Sequence, residues 1–186
     1  MDGQAMSDRE ELVSAWVELA WQHGFRPMTF WTLTFDEKRL GRVDPERAMS
    51  AWRWLVRYLN VAEHGKRFKQ WCKHSEFGYM VAVDYSRLGA VHLHAVVDRW
   101  VDLGRLHAVW SEHWGHAWTK TIGQGEDERI ALSHIVKYTV KGSGLVDFWF
   151  RRLPGTGSSQ SGPTASVGQL GSVVPVKRGL EPPPSG

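Results

Sequence analysis

His92 and His94 sit one residue apart inside Ala90-Val91-His92-Leu93-His94-Ala95-Val96-Val97, a run whose β-branched and apolar content predicts a buried strand. Side chains alternate along a strand, so both imidazoles project from one face while Val91, Leu93 and Ala95 pack behind them. Two neutral imidazoles side by side on a rigid element are a pair of metal ligands. The preceding run, Phe77 to Tyr85, also predicts a strand, and Ser86-Arg87-Leu88-Gly89 predicts a hairpin with Gly89 in the left-handed conformation. That register sets Asp84 opposite His92 and Ala82 opposite His94, so a carboxylate joins the imidazoles and a small side chain leaves room for an ion.

A second set lies near the end of a helix expected to begin near Asp127 and to run to Lys141, with Gly142-Ser143-Gly144 after it. Helical spacing aligns His134, Tyr138 and Lys141, while Leu132, Ile135 and Val136 turn to the core. A phenol with an ordinary pKa of about 10 is a poor nucleophile unless a metal polarises its electrophile or a cation offsets developing charge, which Lys141 could do. Of the four tyrosines, Tyr58 belongs to an amphipathic helix and Tyr79 and Tyr85 to the strand of Asp84, Tyr85 on the opposite face.

The elements that must position these groups follow from periodicity. Ser7 and Glu10 form a capping box ahead of Leu12, Val13, Trp16, Val17 and Ala20, which predicts a helix over residues 7–23. Met28 to Phe35 predicts a first strand with Trp31, Leu33 and Phe35 on one face and Thr32 and Thr34 on the other, beside the metal. Asp44-Pro45 opens an amphipathic helix carrying Trp52, Leu55, Val56 and Leu59; Leu103 to Trp114 is another helix, and Ala117 to Ile122 a short strand.

In this order, Phe30-Trp31-Thr32-Leu33-Thr34, Asp84 ahead of His92-Leu93-His94, and Tyr138-Thr139-Val140-Lys141 resemble the three motifs of the HUH endonucleases, specifically rolling-circle replication initiators with a single catalytic tyrosine. The resemblance covers about residues 28 to 145. It implies an α+β fold in which helices pack on a small antiparallel sheet of ferredoxin-like, split βαβ type. It also implies nicking of single-stranded or hairpin origin DNA, with Tyr138 forming a 5'-phosphotyrosyl link, Lys141 and His134 assisting, and Asp84, His92 and His94 holding one divalent cation. The carboxylate favours Mn or Mg, and two imidazoles also accept Zn. Where relatives carry a tyrosine or a glutamate one turn before the nucleophile, this chain has His134, either to activate water or to orient Tyr138. Asp84 stands where relatives often have Glu or His. Two other readings stand beside this one: a single-tyrosine transposase, against which Lys141 argues because those enzymes tend to use glutamine there, and a non-catalytic origin-binding repressor with the same fold.

Composition bounds the rest. At 186 residues the chain has one domain, expected over residues 1–154, and from 155 to 186 a Gly/Ser/Pro-rich tail that cannot bury enough surface to fold. The one cysteine, Cys72, excludes an internal disulfide, and with His74 it is too sparse for a zinc site. A net charge of +3 permits a polyanionic partner, with Lys66, Arg67, Lys69 and Lys73 in one patch, Arg151 and Arg152 in another, and Lys177 and Arg178 in the tail. His107, His113 and His116 read as surface or interface residues. No apolar run is long enough for a membrane span and no leader pattern opens the chain, so the expected compartment is the host cytoplasm. No Gly-x-x-x-x-Gly-Lys-Ser/Thr motif is present, so unwinding and extension would fall to a host helicase and DNA polymerase.

Overall fold

A computed structural model describes residues 2–65, 75–141 and 146–150, with side chains described from residue 10 and not at 139–141 or 146. The elements are α1 (Asp2–Gln22), β1 (Thr29–Thr34), α2 (Glu37–Leu40), α3 (Pro45–His64), β2 (Tyr79–Tyr85), β3 (Val91–Val97), α4 (Leu103–His113), β4 (Ala117–Thr121), α5 (Glu126–Lys141) and β5 (Val146–Trp149). The expected tail, the three basic patches, and Cys72 with His74 lie outside the described residues.

The hairpin of β2 and β3 follows from its loop. Gly89 takes φ +80°, where a glycine is unstrained, and Ser86 N donates to Ala90 O at 2.8 Å. Pairing then runs Tyr85 to Val91, Asp84 to His92 and Ala82 to His94, the register expected from the sequence. The five strands form one antiparallel sheet in the order β4-β1-β3-β2-β5. Its first four strands and the two crossover helices α3 and α4 make the split βαβ, ferredoxin-like arrangement, an α+β fold.

Both crossover helices cover the same face of the sheet. On α3, the Asp44 carboxylate accepts from Arg47 N at 2.7 Å and Pro45 occupies the first turn, so the helix starts where its apolar stripe begins. Trp52, Leu55 and Leu59 pack with Trp31, Leu33, Val81, Leu93 and Ala95 from the sheet and with Leu106 and Trp110 from α4. Each buried leucine or valine among them contributes about 1.5–3 kcal/mol relative to exposure. Trp110 Nε1 also donates to Thr34 O at 2.9 Å, tying α4 to the end of β1. At Gly115 the backbone comes so close to the Thr34 carbonyl that a Cβ would collide with it.

The second face is covered in part. There α1 and α5 bury Val13, Val17, Leu132, Ile135 and Val136 against Met80, Ala82 and Val96. Two expectations need correction. The first helix begins at Asp2, so Ser7 lies within it and does not cap it, and it ends at Gln22. A fifth strand, β5, pairs with β2 where no strand was expected, because four residues are too short to display an alternation. Among the described residues no helix is long and apolar enough to cross a membrane.

Candidate metal centre

Adjacent strands carry the ligands. Asp84 and His92 are direct partners across β2 and β3, and His94 follows two residues on, so all three project from the partly covered face. Asp84 Oδ2 lies 3.4 Å from His92 Nε2 and 3.7 Å from His94 Nε2, and the three ligand atoms fall within 4.8 Å of one another. Donors about 2.1 Å from a shared ion stand about 3.0–3.5 Å apart, and the two carboxylate–imidazole spacings lie at or near that range. Among the described residues no other group of His, Cys, Asp and Glu converges in this way.

Electrostatics suits the same role. His94 is 8% exposed, and burial pulls its pKa from 6.5 to about 4, with His92 adding to the effect and Asp84 opposing it. The imidazole is therefore neutral near pH 7, as a ligand must be. Thr32, its partner across β1 and β3, places Oγ1 3.2 Å from His94 Nδ1. In the tautomer whose Nδ1–H donates to Thr32, the Nε2 lone pair points toward Asp84, the orientation metal-bound imidazoles usually receive from an outer partner. In that tautomer Thr32 would hold the His94 ring in the orientation a metal ligand needs. Thr34 is turned instead to the backbone, its Oγ1 donating to His116 O at 3.1 Å.

The helix α5 brings Tyr138 onto this site. Its ring stacks on His94, with centroids 4.2 Å apart and planes 12° apart. Its hydroxyl lies 2.8 Å from Nε2 of His134, one turn earlier on the helix. The buried Leu132, Ile135 and Val136 fix which face of α5 meets the sheet, so the rotation of Tyr138 is set by core packing. Desolvation raises the phenol's pKa, and the Asp84 carboxylate raises it further. Phe30, next to Thr32 on the same face of β1, packs against both His94 and His134, with centroids 5.7 Å and 5.6 Å away. Its share in the site was legible only as the alternation Phe30, Thr32, Thr34.

The structure therefore gathers Asp84, His92, His94, His134 and Tyr138. The Lys141 side chain lies outside the described residues. The other tyrosines are elsewhere: Tyr79 is packed against Trp52 on the opposite face, its pKa raised by burial, Tyr58 stacks on Trp54, and Tyr85 alternates away from Asp84. His107 bonds Thr119 and His113 packs edge-on against Trp54, in keeping with structural rather than ligand roles. Comparison of the chain with protein-family models, with curated proteins and with solved structures finds no match.

Proposed function

We propose that this protein is a metal-dependent, site-specific endonuclease and strand transferase of the HUH type, acting as a rolling-circle replication initiator on single-stranded or hairpin origin DNA. The observation that carries the reading is the stacking of Tyr138 on His94, which sets the one tyrosine of α5 against the triad. The motif order in the sequence, the ferredoxin-like sheet, and the His-x-His pair on its central strand β3 support it.

Asp84, His92 and His94 would hold a single divalent cation, Mn or Mg by its carboxylate ligand, with Zn acceptable to the imidazoles. Such an ion supplies Lewis-acid polarisation of a non-bridging oxygen on the scissile phosphate. The chain's own groups do the rest. Tyr138 Oη attacks phosphorus in line, an O–P bond forms, and the bond from phosphorus to the 3' oxygen breaks. His134 Nε2, already at hydrogen-bond distance, accepts the phenolic proton, and the leaving 3' oxygen takes a proton from water. The products are a 5'-phosphotyrosyl link and a free 3'-hydroxyl, and reversing the step rejoins strands without ATP.

Incubation with Mn and mixed single-stranded oligonucleotides tests this. The expected product is a protease-sensitive, detergent-resistant DNA adduct, which Tyr138→Phe abolishes. Origin binding without an adduct under any divalent metal would instead favour a repressor.

A further inference from the structure

The edge strand β4 carries an exposed aromatic on the same face as the triad. Register pairs Trp118 with Thr32, which itself pairs with His94, so Trp118 stands two strand spacings, about 10 Å, from His94. Lys120 pairs in the same way with Phe30, the residue that packs against His94 and His134. Ala117 and Thr119 face the other way, Ala117 into the α3/α4 core and Thr119 onto His107, which confirms the direction of Trp118. Trp118 is 55% exposed and Lys120 is exposed, whereas Trp31, Trp52 and Trp110 are fully buried. Folding thus leaves a large ring in water beside the site. Among the described strand residues, Asp84 is the one carboxylate on this face.

We infer that β4 is the landing surface for the unpaired strand, with Trp118 stacking a base and Lys120 meeting a backbone phosphate while the scissile phosphate sits at Tyr138. This rests on the nuclease reading above and names how its substrate is held. An exposed indole suits any base, since every base offers a π-face, and a lysine two residues along the same strand face supplies the charge that stacking lacks. A duplex cannot use such a ring, because its bases are already stacked.

Fluorescence anisotropy with labelled mixed-sequence single strands tests the inference, using the full chain with Mn in a Tyr138→Phe background that cannot cut. Trp118→Ala is expected to weaken single-strand binding at least fivefold, and Trp118→Phe by less than about twofold. Binding to a duplex of the same sequence stays unchanged. Lys120→Gln is expected to lower the slope of log affinity against log salt by about 0.7, and this arm decides the matter should Trp118→Ala fail to fold. Single-strand binding unchanged in Trp118→Ala, or weakened equally on duplex, overturns the inference while adduct formation by the unmodified chain keeps the nuclease reading intact. No single-strand binding and no adduct overturn both.

Discussion

The rings of Tyr138 and His94 lie nearly parallel, 12° apart in plane and 4.2 Å between centroids, so a helix residue and a strand residue share one surface. The contact links the nucleophile candidate to a candidate ligand without engaging the hydroxyl, which is bonded to His134. Ring and hydroxyl can therefore be separated by mutation.

Tyr138→Phe keeps the ring on His94 and removes only the oxygen. Adduct formation is expected to vanish, while Mn affinity by calorimetry stays within about twofold of the parent. A parallel loss of metal binding would show that the hydroxyl serves the metal site rather than the chemistry.

His134→Ala removes the acceptor 2.8 Å from the phenol. Single-turnover adduct formation should slow roughly 10²-fold, as loss of a positioned base usually does, with single-strand affinity unchanged. An unaltered rate would leave His134 as packing against Phe30 and nothing more.

Thr32→Val deletes the oxygen 3.2 Å from His94 Nδ1 at nearly constant volume. Losing an outer partner of a ligating imidazole typically costs 10–100-fold in metal affinity, and that loss is expected in a Mn titration. Thr34→Val, whose hydroxyl meets a backbone carbonyl instead, should leave metal affinity unchanged.

The metal-free protein should lose stability in mild acid. His94 titrates near 4 when folded against 6.5 in a free chain, so between those values the unfolded state binds the extra proton and unfolding gains. Stability falls as pH drops through that window, by about 3 kcal/mol when complete, and levels off below it. Denaturant titrations from pH 7 to pH 4 should show the decline, and His94→Gln should flatten it.

Much of the site was legible in local pattern. Period two along Val91 to Val97 determined that His92 and His94 share a face, and a left-handed Gly89 determined that Asp84 would oppose His92. Period 3.6 likewise put His134 and Tyr138 one turn apart, with Leu132, Ile135 and Val136 inward. These relations span a few residues and follow from backbone geometry alone.

What joins the parts is not local. Thr32 meets His94 across 62 residues because β1 inserts beside β3, and Tyr138 meets His94 because the apolar face of α5 docks on β2 and β3. Neither pairing carries a mark in the composition of the segments involved. The same holds for β5, too short to announce itself, and for Trp118, one of eleven tryptophans until sheet order left it uncovered next to the triad. Sequence determined which side chains could face the same way within each element; tertiary packing, which buries apolar area without regard to distance along the chain, decided which elements would face each other.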